Sequence, residues 1–161
     1  ILNDDGEIVC EYDKIHLFDV RIPGRVCLME SESTKPGACL RICNTPFGKL
    51  GISVCYDLRF PARSRNKYNY DLLIYVANCP DERIQAWDCL LKARAIENFC
   101  YIFAPAQTGK NTSKRETFGH TAIISPDGKI MALKKFGKGI IYSNIKPKIA
   151  MDLRKVIPSM L

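Results

Sequence analysis

Histidine is scarce in this chain, with only His16 and His120 present. That scarcity argues against a closed zinc site, which needs a full set of closely spaced Cys and His ligands. It also leaves few imidazole bases for a cysteine nucleophile, and neither histidine lies in a papain-like or caspase-like context. Long apolar runs are missing as well: none reaches the ~18 residues of a membrane span. Ile1 to Gly6 reads as a polar turn rather than a basic-then-apolar leader. Internal repeats, low-complexity tracts and long linkers are absent. Cysteine is plentiful, with eight residues, but positions 10, 27, 39, 43, 55, 79, 89 and 100 form no CxxC and no tight framework. Free thiols in a reducing compartment are the simplest reading, so a cytoplasmic location is expected, with the mitochondrion as the other option. Asn111-Thr112-Ser113 matches a glycosylation sequon that a cytosolic chain would not use.

Negative charge is in short supply. Lys and Arg number 24 against 17 Asp and Glu, giving a net charge of +7. Such a balance suits an anionic partner, whether nucleic acid, membrane surface or carboxylate substrate. The basic residues are scattered, however. The densest groups, Arg59-Arg63-Arg65-Lys67 and Lys134-Lys135-Lys138, lack the interleaved aromatics of a single-strand binding platform. They read as a solvated basic surface, so neither nucleic acid nor membrane is expected as a partner. The 161 residues fit one domain. A chain of that size buries roughly 70% of its unfolded surface and needs no staples.

Turn signals and apolar periodicity divide the chain. Asn3-Asp4-Asp5-Gly6 is a hairpin-type turn, after which Glu7 to Tyr12 reads as a strand. Residues 16 to 39 read as irregular, holding Pro23-Gly24 and Lys35-Pro36-Gly37. Leu40 to Asn44 and Lys49 to Cys55 read as strands joined by Thr45-Pro46-Phe47-Gly48. Pro61 to Tyr68 can start a helix, and Asp71 to Ala77 is an apolar, buried strand. Ile84 to Phe99 is the strongest helix, its apolar residues recurring at helical spacing, with Arg94 and Glu97 placed to pair. Cys100 to Ala106 is a strand, and a hairpin at Pro126-Asp127-Gly128 joins His120–Ser125 to Lys129–Leu133. Ile140 to Asn144 is a further strand, and Pro147 to Val156 a final helix. The pattern predicts an α+β fold with helices outside mixed sheets, and enough strands for a two-sheet core.

"GISVCYDLRFPARSR" at 51–65 carries the chemistry. Cys55 stands at the end of an apolar strand. A turn there projects the sulfur, and the following backbone N–H groups favour a thiolate and can donate to an oxyanion. A small buried thiol is the competing reading. Without a suitable histidine, a carboxylate base and a cationic stabiliser are the alternative, and Lys14 is a candidate cation. Arg59 either binds substrate or pairs with Asp57, and the pair is the favoured reading.

"YDKIHLFDV" at 12–20 and "GISVCYDLRFP" at 51–61 resemble the two blocks around the lysine and the cysteine of the nitrilase superfamily, the carbon–nitrogen hydrolases. "MES" at 29–31, "YDLLIYVANCP" at 70–80, "KARAIENFCYI" at 92–102 and "FGHTAIISPDGKI" at 118–130 resemble further family segments, in family order. The match is closest to the ω-amidase and Nit-type branches. Cys79 in "ANCP" departs from the "ANWP" of the ω-amidase-like branch, while "HTAIISPDG" leans to the Nit side, which includes amidases for deaminated glutathione.

The resemblance implies that residues 1–161 are the C-terminal portion of a single carbon–nitrogen hydrolase domain, part of an α-β-β-α sandwich. It implies a Glu-Lys-Cys triad with Cys55 as nucleophile. Lys14 and the Tyr56 backbone N–H would stabilise the oxyanion, and Glu30 would orient the lysine. The general-base glutamate belongs upstream of the lysine block, and Glu7 and Glu11 stand too close to Lys14 to match it. The expected function is thiol-dependent hydrolysis of a small-molecule amide: an ω-amidase of α-keto-ω-amide acids releasing ammonia, or alternatively a deaminated glutathione amidase or a non-catalytic interaction subunit. This chain alone is expected to hydrolyse amides poorly. Neither metal nor organic cofactor is expected, and the complete protein is expected to form a homodimer or higher oligomer.

Overall fold

The computed structural model describes residues 1–24, 26–65, 69–79, 83–110 and 116–157. The sequon at 111–113 and the last part of the expected 61–68 helix lie outside the described residues. In chain order the strands are β1 (Asp19–Ile22), β2 (Val26–Met29), β3 (Arg41–Thr45), β4 (Gly48–Val54) and β5 (Leu72–Val76). They continue with β6 (Tyr101–Ala104), β7 (Thr108–Lys110), β8 (Glu116–Phe118), β9 (Thr121–Ile124) and β10 (Ile130–Lys134). Helix α1 (Ile84–Asn98) precedes β6, and α2 (Pro147–Val156) closes the order.

A six-stranded sheet of order β10-β9-β6-β5-β4-β3 forms the centre, flanked by the hairpins β1-β2 and β7-β8. The two-sheet core expected from strand count is therefore one large sheet and two ribbons among the described residues. β4, β5 and β6 run parallel, and β3, β9 and β10 pair antiparallel at the flanks. Parallel strands are covered on both faces, which explains the near-continuous apolar run of β5. Leu73, Tyr75, Ile102 and Ala104 are almost wholly buried there. Gly51 permits close approach within this sheet: a Cβ at that position would lie 3.0 Å from Leu73 Cδ1.

Helix α1 buries Trp87, Leu91 and Ala95 against the sheet. Trp87 Nε1 donates to the His120 carbonyl at 3.2 Å. Arg94 donates to the Leu58 carbonyl from Nε at 3.1 Å and Nη2 at 2.7 Å, and pairs with Glu97 at 2.9 Å. The helix thereby grips the segment that follows Cys55. Leaving one member of so buried a charge network unpaired typically costs about 3–5 kcal/mol. At the other end of the sheet, Arg154 of α2 donates to the Tyr70 carbonyl at 2.7 Å and to Asp71 Oδ1 at 3.2 Å.

Four expected elements differ. Glu7 to Tyr12 is not a strand: it meets Ile1 to Asn3 through a few backbone hydrogen bonds and a single Leu2–Ile8 bridge, joins no sheet among the described residues, and leaves Ile8 and Val9 exposed. The segment read as irregular contains the β1-β2 hairpin, formed around Pro23-Gly24. The described part of Pro61 to Tyr68 is a succession of turns, because the helical turn begins earlier, as a 3-10 helix over Cys55–Arg59. Ile140 to Asn144 pairs with no strand and leaves Ile140 and Tyr142 exposed. Among the described residues no helix is long and apolar enough to cross a membrane.

Candidate active site

The parallel core sets the site. Val54 and Val76 pair in register at the ends of β4 and β5, so both chains leave the sheet at one edge. Open α/β sheets bind ligands beyond such carboxyl ends. Cys55 follows Val54 directly and turns with φ of 46°, in the left-handed region. A non-glycine residue pays steric strain there, of order 1–3 kcal/mol, and such strain clusters at functional sites. The sequence reading of a sharp turn that projects the sulfur matches this geometry.

Asp57 fixes that turn from within. Its Oδ2 accepts from the Val54 N–H at 3.2 Å and from the Tyr12 hydroxyl at 2.8 Å. Its Oδ1 accepts from the His16 N–H at 2.8 Å, and His16 Nδ1 lies 2.9 Å away. The His16 ring also stacks on Phe60 with centroids 3.6 Å apart. Asp57 thus clamps both sides of the Lys14 loop to the cysteine turn. The favoured Arg59–Asp57 pair does not form: the carboxylate is buried among these partners, while Arg59 points into the exposed rim.

Lys14 Nζ lies 2.6 Å from Glu30 Oε2, and the Phe18 N–H donates to the same oxygen at 2.6 Å. Glu30 reaches that place because the β1-β2 hairpin returns the chain toward Phe18. Gly37 closes the loop from behind, its N–H donating to the Lys14 carbonyl at 2.8 Å. A Cβ on Gly37 would collide with the Asp13 carbonyl oxygen.

Lys14, Glu30, Cys55 and Arg59 line one cavity of about 900 Å³, together with Cys79 and Arg83. The structure therefore gathers the sequence-expected side chains, and Tyr56, which follows Cys55, lines the same wall. The Cys55 thiol is pulled down to about 6. The neighbouring Cys79 thiol is the largest cause. The Asn78 backbone and the Lys14 ammonium act the same way, against burial and the Glu30 carboxylate. Cys79 is pushed up in return, first by its hydrogen bond to Cys55 and then by burial. The direction of these shifts favours the thiolate at Cys55 and the thiol at Cys79, beside the Lys14 ammonium.

Sequence reasoning missed Cys79 as a neighbour of Cys55, and it missed Arg83 and Glu116 on the cavity wall. The Arg83 guanidinium sits 4.4 Å from the centre of the Phe18 ring. The signal for Cys79 lay in the strand order: in parallel β4 and β5, residues just past the two carboxyl ends share an edge. Neither histidine lines the cavity; His120 Nδ1 lies 3.0 Å from Asp88 Oδ2. Among the described residues no group of three or more His, Cys, Asp and Glu is placed to hold a metal ion.

The carbon-nitrogen hydrolase family model matches residues 1–155. The deaminated glutathione amidase of Dictyostelium discoideum is 47% identical over 81% of this chain and 46% of its own length. The human deaminated glutathione amidase is 39% identical over 98% of this chain and 50% of its own length. The crystal structure of the Caenorhabditis elegans NitFhit protein superposes with a TM-score of 0.89 at 39% identity, covering 98% of this chain and 39% of that one. The chain spans about half the length of the amidases it matches. The two amidases carry the name that the sequence reading held as its alternative, rather than ω-amidase. The chain belongs to the carbon–nitrogen hydrolase family, on the Nit branch of the nitrilase superfamily.

Proposed function

We propose that residues 1–161 are the C-terminal portion of a single carbon–nitrogen hydrolase domain, and that Cys55 is its nucleophile. The observation that carries this reading is one cavity shared by Cys55, turned with positive φ, and the Lys14–Glu30 ion pair. The thiolate attacks the amide carbonyl carbon. Lys14, held in place by Glu30, and the Tyr56 backbone N–H stabilise the oxyanion that forms. The amine departs with a proton, and water then cleaves the thioester. The family pattern calls for a further glutamate, upstream of the lysine block, as the base. Glu7 and Glu11 are exposed and line no part of the cavity.

Deaminated glutathione, the substrate class named for the relatives, fits the cavity's charge. It bears a carboxylate at each end, and the cavity carries two guanidiniums, Arg59 and Arg83. A short α-keto-ω-amide acid has one carboxylate for them. The leaving groups also differ: a short ω-amide gives ammonia, whereas the γ-amide of deaminated glutathione gives a dipeptide amine. The reading therefore favours deaminated glutathione as substrate, with no metal or organic cofactor. Eight free thiols suit a reducing, cytoplasmic compartment. Exposed Ile140, Tyr142 and Val156 suit burial in a homodimer or larger assembly.

The complete protein is to be assayed with both substrates. Release of the dipeptide, at higher kcat/KM than ammonia from the short amide and abolished by Cys55→Ala, supports the reading. Turnover unaffected by Cys55→Ala overturns it.

A further inference from the structure

Cys55 and Cys79 are two thiols held together at the open edge of the parallel sheet. Cys55 is one residue past Val54 and Cys79 three past Val76, and those valines pair in register. Both residues are half-buried and line the same cavity, and each thiol is the largest influence on the other's titration. Lys14, Arg59 and Arg83 supply positive charge around them, with Glu30 and Glu116 as the carboxylates on the wall. Adjacent strands lie about 4.8 Å apart, within the Cα spacing of about 4.4–6.8 Å that a disulfide spans. Amide hydrolysis assigns no step to Cys79.

We propose that Cys55 and Cys79 form a peroxide-responsive pair, in which Cys79 resolves an oxidised Cys55 as an intramolecular disulfide. Hydrogen peroxide is the oxidant. The Cys55 thiolate attacks one peroxide oxygen, the O–O bond breaks, and hydroxide leaves and takes a proton to become water. Cys55 is then a sulfenic acid, two electrons more oxidised. The Cys79 sulfur attacks the Cys55 sulfur, the S–S bond forms and the S–O bond breaks. The departing hydroxide takes the Cys79 proton and leaves as a second water. Two thiols and one peroxide thus become one disulfide and two waters. The nucleophile is masked, and a dithiol reductant restores it.

The molecule carries its own control. Cys10 and Cys43 are neighbouring thiols too, but the Cys43 S–H donates to the Asn44 carbonyl at 3.6 Å and burial pushes Cys10 up. A thiol pair alone is therefore not enough; the thiolate and its cations distinguish Cys55.

The complete protein is to be treated with hydrogen peroxide in its native state, digested without reduction and mapped by mass spectrometry. The expected product is a Cys55–Cys79 cross-linked peptide lacking two hydrogens, with Cys55 alkylation lost and then recovered by dithiothreitol. Its rate of formation should fall about tenfold from pH 7 to pH 5, because the thiolate fraction falls. In Cys79→Ser, Cys55 should instead proceed to sulfinic and sulfonic acids that dithiothreitol does not reverse. Circular dichroism checks that this variant is folded, and Cys79→Ala replaces it if it is not. Wild-type Cys55 over-oxidised as in the variants, held as a dimedone-trapped sulfenic acid, or bonded to another cysteine would overturn the proposal. So would preferential bonding of Cys10 to Cys43. None of these readouts measures amide cleavage, so their failure leaves the amidase reading standing.

Discussion

Cys55 and Cys100 stand at opposite ends of the same three parallel strands. Cys55 follows β4 at the carboxyl edge, and Cys100 precedes β6 at the amino edge. At the first edge the chain turns with positive φ, the sulfur faces a cavity, and the thiol is pulled down to about 6. At the second the thiol is fully buried, close to Arg154, Glu97 and Asp71, and burial pushes it far up despite Arg154. Both have a cation nearby, so charge alone does not make a nucleophile. What separates them is the polar surroundings of Cys55, Cys79 and the Asn78 backbone first among them, and the open cavity in front of it. The strand direction decides which end receives those features.

The sharpest way to break the contrast is to remove each sulfur. Cys55→Ala should lower kcat/KM of the complete protein by at least about 10³-fold. Cys100→Ala should leave kcat/KM nearly unchanged and lower stability by about 1 kcal/mol, read as a fall in Tm. Equal losses of activity would erase the distinction between the edges. Next in size, Lys14→Met should lower kcat by about 10²–10³-fold, in line with loss of an oxyanion donor. It should also move the Cys55 titration upward, which alkylation kinetics would register. Asp57→Ala removes the clamp between the Lys14 loop and the cysteine turn. It should cost about 2–3 kcal/mol in urea unfolding, because Tyr12, His16 and Val54 lose a buried acceptor. Smallest, Arg59→Ala should raise KM for a carboxylate-bearing amide about tenfold while kcat changes little. A pure stability loss there would return Arg59 to a structural role.

Most of the sheet was legible because β4 alternates in burial, β5 is a near-continuous apolar run, and α1 has 15 residues without glycine or proline. Cys55 was legible as a strand-end thiol, and Lys14 and Glu30 through family resemblance. The β1-β2 hairpin was hidden because each strand has only 4 residues and lies among turn signals, although "DVRI" alternates and "VCLM" is wholly apolar. That hairpin carries Glu30 to Lys14, so the ion pair could be named from the sequence but not built from it. The reverse error occurred at Glu7–Tyr12 and Ile140–Asn144, where strand-like residues form no extended ladder among the described residues. Asp57 went to the wrong partner because Arg59 is near in sequence, whereas Tyr12 and His16 are near in space. Cys79 acquires its role only once β4 and β5 are known to lie side by side.

The most direct measurement is the alkylation rate of each cysteine against pH, by iodoacetamide labelling and peptide mass mapping. The expected result is that Cys55 reacts first, half-maximally near about pH 6, and slows about tenfold for each pH unit below that. Its acidic midpoint follows from the sign of the shift: a thiol pulled down keeps its thiolate until pH falls through the lowered value. Cys100 should not react while the protein is folded. The contrary result is Cys55 reacting no faster than the exposed Cys27, Cys39 and Cys89, with a midpoint near about 8.5, as for an ordinary thiol.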